Sequence, residues 1–150
     1  MATWLFKSEP EAFSWDQLVK DKRGSWDGVR NYQANNNMKA MKKGDRGFFY
    51  HSVKERRIVG IVEVIGEHRP DPTDETGRFG LVDVKPIKPM PNPVTLEQIK
   101  ADPRLQDLAL VRQSRLSVTP IDSKAWKIIC SLGGIKGDAV SALSLIPHHL

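Results

Sequence analysis

The sequence predicts an α+β domain, a small and strongly curved sheet or barrel of about five strands with short helices over its ends. Three observations predict it. The runs TWLFK, GFFYHS and IVGIVEVI are rich in aromatic and β-branched residues, which suit a pleated, half-buried surface. Short helix-start patterns alternate with them. The chain has 150 residues, enough to bury one core, and holds no internal repeat or low-complexity tract.

Thr3 to Lys7 reads as a strand ended by Ser8-Glu9-Pro10. Ser14 then caps a short helix with Trp15, Leu18 and Val19 on one face, and Gly24 stops it. A second helix begins after Asn31 and carries the apolar stripe Ala34, Met38 and Met41 before Gly44-Asp45 turns the chain. Gly47 to Ser52 and Ile58 to Ile65 form a hairpin across the polar Val53–Arg57 connection, with Gly60 marking a bulge or a close approach. Arg69 to Gly77 reads as a loop. Leu81 to Lys85 resumes the sheet, and PIKPMPNP runs on as a proline-punctuated edge.

Thr95 with Gln98 is a capping pattern for a helix burying Leu96 and Ile99. Leu105 to Val111 is helical or turn-like, and Ser114 to Thr119 alternates as a strand. Ser123 caps a last helix with Trp126, Ile129 and Leu132 inward, closed by Gly133-Gly134. Residues 135–150 are weakly patterned, a docked helix or a mobile end.

Lys and Arg number 23 against 18 Asp and Glu, a net charge of +5 that favours a polyanionic partner. No apolar run is long enough to span a membrane, and the N-terminus lacks the basic-then-apolar order of a secretory signal. The single Cys130 forms no internal disulfide and fits a reducing compartment, the cytoplasm or, in a eukaryote, the nucleus. The histidines are scattered and no cysteine pair exists, so neither a metal nor another cofactor is expected. Phosphate-loop and GxGxxG patterns are absent as well.

Candidate catalytic groups are few. Neighbouring strand residues point to opposite faces, so His51 and Ser52 form no direct nucleophile–base pair, although both can line a pocket at the strand end. Glu9 and Asp27 lie near aromatic residues and read more readily as turn caps than as an acid–base pair. What remains suits binding. Trp26 and Tyr32 offer flat faces, asparagine and glutamine amides match a heterocycle's edge, and Lys7, Arg30, Arg112 and Arg115 can meet phosphate.

The blocks WLFKSEP, WDGVRNYQA, Asn36-Asn37, Lys43-Gly44-Asp45, FYHS, Asp71 to Asp74, VDVKP and LVRQSRLS occur in constant order over residues 2 to 134. Together they resemble the EVE domain. The resemblance implies a domain over 1–134 with a PUA-like pseudo-barrel of five to six strands. It also implies binding of a modified nucleobase in DNA or RNA without catalysis; a monomer is expected.

Carried over position by position, the pocket candidates are Lys7, Ser8, Trp26, Asn31, Tyr32, Asn36, His51, Ser52, Arg112, Gln113, Ser114 and Arg115. Trp26 would stack, Ser8 and Asn31 would read the base edge, and the arginines would hold phosphate or scaffold the pocket. Asn35 stands where the family commonly has arginine, which would lower affinity or shift backbone contacts to Lys39 and Lys42. The rival expectations are an enzyme on modified nucleotides using His51, Glu9 or Asp27, and a protein–protein adaptor.

Overall fold

The structure is a computed structural model that describes residues 2–135; the expectation for the remaining tail lies outside the described residues. The strands are β1 (Thr3–Ser8), β2 (Gly24–Trp26), β3 (Arg46–His51), β4 (Arg57–Pro70), β5 (Gly80–Thr95) and β6 (Val118–Ile121). The helices are α1 (Trp15–Asp21), α2 (Tyr32–Lys39), α3 (Leu96–Ala101), α4 (Ala109–Arg112) and α5 (Ser123–Leu132). One mixed sheet runs β2-β5-β4-β3-β1-β6. Among the described residues β1 with β3 is the only parallel pair, and the other pairs are antiparallel.

Because successive side chains leave a strand on opposite faces, the central strands feed two cores. Trp4, Phe6 and Phe49 meet Trp15, Leu18, Ala34 and Met38 on one face. Leu5, Phe48 and Tyr50 meet Ile99, Trp126 and Ile129 on the other. Every residue of β3 is buried, as a strand covered on both faces requires. The anticipated β3–β4 hairpin is present, and its register slips between Phe49 and Tyr50 opposite Gly60 and Ile58. Gly60 is a close approach: a Cβ there would collide with the Trp15 ring.

The capping box at Thr95 and Gln98 and the caps at Ser14 and Asn31 form as the sequence suggests. Several boundaries differ. Helix α1 ends at Lys22 in the left-handed region (φ 68°), and Gly24 instead opens β2, a strand too short to show a period. Val19 is 47% exposed rather than part of the buried face. Asp122, not Ser123, caps α5 by accepting from the Ala125 N–H at 2.8 Å. Strand β6 starts only at Val118, while β4 continues through Pro70 beyond the point where polarity suggested a loop. Pro86, Pro89, Pro91 and Pro93 fall on the half of β5 that β2 does not cover, where a missing N–H leaves no partner wanting.

Candidate functional site

The parallel pairing of β1 and β3 sets Ser8 beside His51, so both chains leave the sheet at the same end. Around that exit lie the 26–30 segment, the turn after β3 and the loop before β6. They enclose two adjacent cavities of about 410 and 450 Å³ that share Lys7 and Ser117 as a common wall. Both volumes suit a small organic ligand.

The first cavity is floored by Trp26 and rimmed by Ser8, Phe13, Asp27 and Arg30. Trp26 is only 6% exposed. The rings of Phe6, Phe13 and Phe49 lie edge-on to it, with centroids at 5.0, 5.9 and 5.4 Å. It is therefore a fixed floor, not a free plate. The Ser8 hydroxyl donates to the Phe13 carbonyl at 2.7 Å, which fixes the turn after β1. Asp27 is exposed, and its carboxylate makes no hydrogen bond or ion pair among the described residues.

A second loop holds the rim in place. The buried Asp71 carboxylate accepts from the Gly28 N–H at 2.8 Å, the Thr73 N–H at 2.8 Å and the Thr73 hydroxyl at 2.7 Å. It also takes a charge-assisted bond from Arg30 at 3.1 Å. Burial alone would raise this carboxyl, but those four donors outweigh it and draw its pKa down to about 2. Gly28, at φ +76°, presents its N–H to Asp71 from a left-handed conformation. Asp74 organises the loop likewise, accepting from the Thr76 hydroxyl at 2.6 Å and the Phe79 N–H at 2.8 Å. No three or more His, Cys, Asp or Glu among the described residues are placed to hold a metal ion.

The second cavity brings Lys7, Ser52, Ser114 and Arg115 together with Tyr50 and Arg56. The Lys7 ammonium donates to the Ser114 carbonyl and lies 5.9 Å from the Tyr50 ring centroid. Its half-burial lowers the ammonium pKa. A third hollow of about 350 Å³ on the outer side is lined by Asn31, Gln33 and residues 112–116.

The remaining predicted residues are dispersed. His51 is buried, its Nε2 accepting the Trp15 N–H at 3.0 Å and its Nδ1 3.0 Å from Glu55, so both ring nitrogens face the protein. Tyr32 is 60% exposed and leans on Phe79, ring centroids 5.0 Å apart, away from both main cavities. Asn36 is exposed, whereas Asn35 is buried with its Oδ1 between His68 Nε2 at 2.9 Å and the Gly80 N–H at 3.0 Å. Asn31 Oδ1 caps α2 through the Ala34 N–H at 2.9 Å, leaving only its amide N–H groups for the outer hollow. Arg112 bonds the Gln106 carbonyl and Asp107, and both Arg112 and Gln113 line the outer hollow but neither main cavity. Sequence reasoning passed over Phe13, Tyr50, Arg56, Ser117 and the clamp at Asp71. Of these Tyr50, Ser117 and Asp71 fall in the blocks that carry the resemblance, and Asp71 also opens an Asp-x-Thr pair suited to a local side-chain turn.

A mixed sheet with an aromatic-floored, cation-rimmed cleft at the end of its parallel strands defines a domain of the α+β class. The chain belongs to the EVE domain family, whose profile matches residues 2–132. It is 33% identical to mouse thymocyte nuclear protein 1 over 86% of this chain and 72% of that protein. The solved structure of Rpa0253 from Rhodopseudomonas palustris is 51% identical and superposes with a TM-score of 0.85, covering 90% of this chain and 94% of its own. The human THYN1 protein, solved in complex with 5-methylcytosine containing DNA, is 32% identical with a TM-score of 0.83 over 89% of this chain and 98% of its own. A YTH domain, that of the Zygosaccharomyces rouxii MRB1 protein, shares the fold at a TM-score of 0.56 and 19% identity, over 88% of this chain and 86% of its own. The PUA-like α+β expectation is thereby met.

Proposed function

We propose that this domain binds nucleic acid as a monomer and takes one modified base into the cavity floored by Trp26, without catalysing a reaction on it. The observation that carries the reading is the composition of that cavity. It pairs an immobile aromatic floor with an unpartnered Asp27 carboxylate at the rim. A carboxylate only accepts hydrogen bonds, so it selects a base edge bearing an exocyclic amine, as cytosine's N4 does. The human relative solved with 5-methylcytosine DNA makes that modification the first to test. The base must leave its stack to enter, and a strand already unpaired lowers that cost. Contact with the Trp26 ring contributes about 1–3 kcal/mol.

Binding is favoured over turnover because His51, the natural general base, bonds Trp15 and Glu55 inside the fold and lines neither cavity. The test is an anisotropy titration of matched DNA and RNA oligonucleotides carrying cytosine or 5-methylcytosine at two salt concentrations. Preference for the modified strand by about tenfold, lost in Asp27→Ala while the thermal midpoint holds, supports the reading. Equal affinity for every oligonucleotide reduces the domain to a general polyanion binder.

A further inference from the structure

Tyr50 is 2% exposed, lines the second cavity and has no hydrogen-bond partner for its hydroxyl among the described residues. The hydroxyl itself is not sealed off but opens to the cavity, so a ligand oxygen entering there can take the place of the water it meets. Burial pushes that hydroxyl up to about 12, which keeps it a donor at neutral pH.

Two more donors converge there. Arg56 and Arg115 line the same cavity, and neither guanidinium has an ion-pair or hydrogen-bond partner among the described residues. Arg56 is delivered by a strained turn. Its own φ is +48° and that of Val53, a β-branched residue also on the wall, is +70°. Backbone held in this region by non-glycine residues costs about 1–3 kcal/mol each and persists where the surroundings enforce it, often at binding sites. Lys7 adds a third cation, and Glu9 is the one opposing carboxylate on the wall.

We propose that this cavity is a phosphodiester subsite. On this reading Tyr50, Arg56 and Arg115 grip the phosphate that flanks the base held above Trp26, and Lys7 bridges the two cavities. The inference rests on the base-binding reading and adds what the second cavity is for. Leu96 and Leu110 supply an apolar wall against which the sugar carrying that phosphate can lie. Recognition would then require one base and one adjacent linkage in a fixed relation, which a free base cannot satisfy.

The experiment is a cycle between protein and backbone chemistry. Single-stranded oligonucleotides with one 5-methylcytosine carry a neutral methylphosphonate at one linkage at a time around it. Anisotropy then gives Kd for the wild type, Arg115→Gln and Tyr50→Phe. One flanking methylphosphonate should weaken the wild type by about tenfold, the worth of a charge-assisted contact. The same substitution should weaken Arg115→Gln and Tyr50→Phe by a smaller factor than it weakens the wild type, and the ratio of modified to unmodified affinity should be unaltered in both variants. Independent effects that multiply, or a wild type indifferent to every methylphosphonate, would overturn the subsite. Competition by inorganic phosphate that does not depend on the oligonucleotide would do so too, because it would assign the cavity to a free anion. Loss of base preference with the phosphate cycle intact would instead defeat only the base reading, so the two failures are distinguishable.

Discussion

Trp26→Ala tests whether the floor of the cavity is also a pillar of the fold. Trp26 is 6% exposed and holds three aromatic neighbours edge-to-face, Phe6, Phe13 and Phe49. Truncating a buried tryptophan to alanine costs about 3–5 kcal/mol from lost transfer energy and the cavity left behind. Each edge-to-face pair adds roughly 0.5–1.5 kcal/mol that disappears with the ring. A domain of this size has about 5–15 kcal/mol in total, so the variant loses a third or more of its margin. With roughly 2–4 °C of midpoint per kcal/mol, the melting temperature should fall by about 10 °C or more. Thermal unfolding followed by circular dichroism measures this directly. A fall below about 3 °C would refute the claim that Trp26 is structural, and would make it a ligand plate alone. The consequence for binding work is that affinity of Trp26→Ala is meaningful only well below its own midpoint. Trp26→Phe, which keeps an aromatic floor, is the better probe of stacking.

Two further predictions follow from the clamp and the sheet. Gly60→Ala should destabilise by about 1–3 kcal/mol in urea titration because the new methyl meets the Trp15 ring, and adding Trp15→Leu should recover part of the loss; no loss, or no recovery, would discard the close-approach explanation. Asp71→Asn should cost about 1–3 kcal/mol because an amide cannot accept all four donors. The pH dependence of that contribution has a definite sign. The folded pKa is depressed to about 2 from an ordinary 3.8, so the carboxylate's stabilisation is complete above about pH 4 and disappears as pH falls through 2. The difference in midpoint between wild type and Asp71→Asn should therefore shrink over that window; a constant difference would mean the proton is not what Asp71 responds to.

Local chemistry made much of the fold legible. Caps at Ser14, Asn31 and Thr95, the β3–β4 hairpin and the alternation that splits Leu5 from Trp4 and Phe6 all depend on residues close in sequence. What was not legible depends on pairing at a distance. Strand β2 has three residues and exists because β5 offers it Val82 to Val84 as a ladder. The polar end of β4 stays a strand because Arg69 pairs with Leu81 and its guanidinium reaches Asp83 at 2.9 Å. Asn35 looked like a surface substitution, yet α2 packs over β4 and β5 and turns it onto His68 and Gly80.

The site divides along the same line. Residue types pointed to amides, rings and cations, but adjacency comes from one topological fact, the parallel pairing of β1 with β3. That pairing sets Ser8 beside His51 and therefore brings Lys7, Ser52 and Tyr50 to one edge, where the 26–30 and 114–117 segments can close over them. It also separates the asparagine cluster after Asn31 from the main cavities. There Asn31 caps α2, Asn35 binds His68, and Asn37 donates to the Val118 carbonyl at 2.8 Å, so three amides of the four secure the helix. Only Asn36 has its side chain free among the described residues, and it lines neither main cavity. The polarity that looked like a reading surface is mostly what docks α2 against the sheet. The exposed chemistry lies instead where two strands end together, with Asp27 at one cavity and Tyr50, Arg56 and Arg115 at the other.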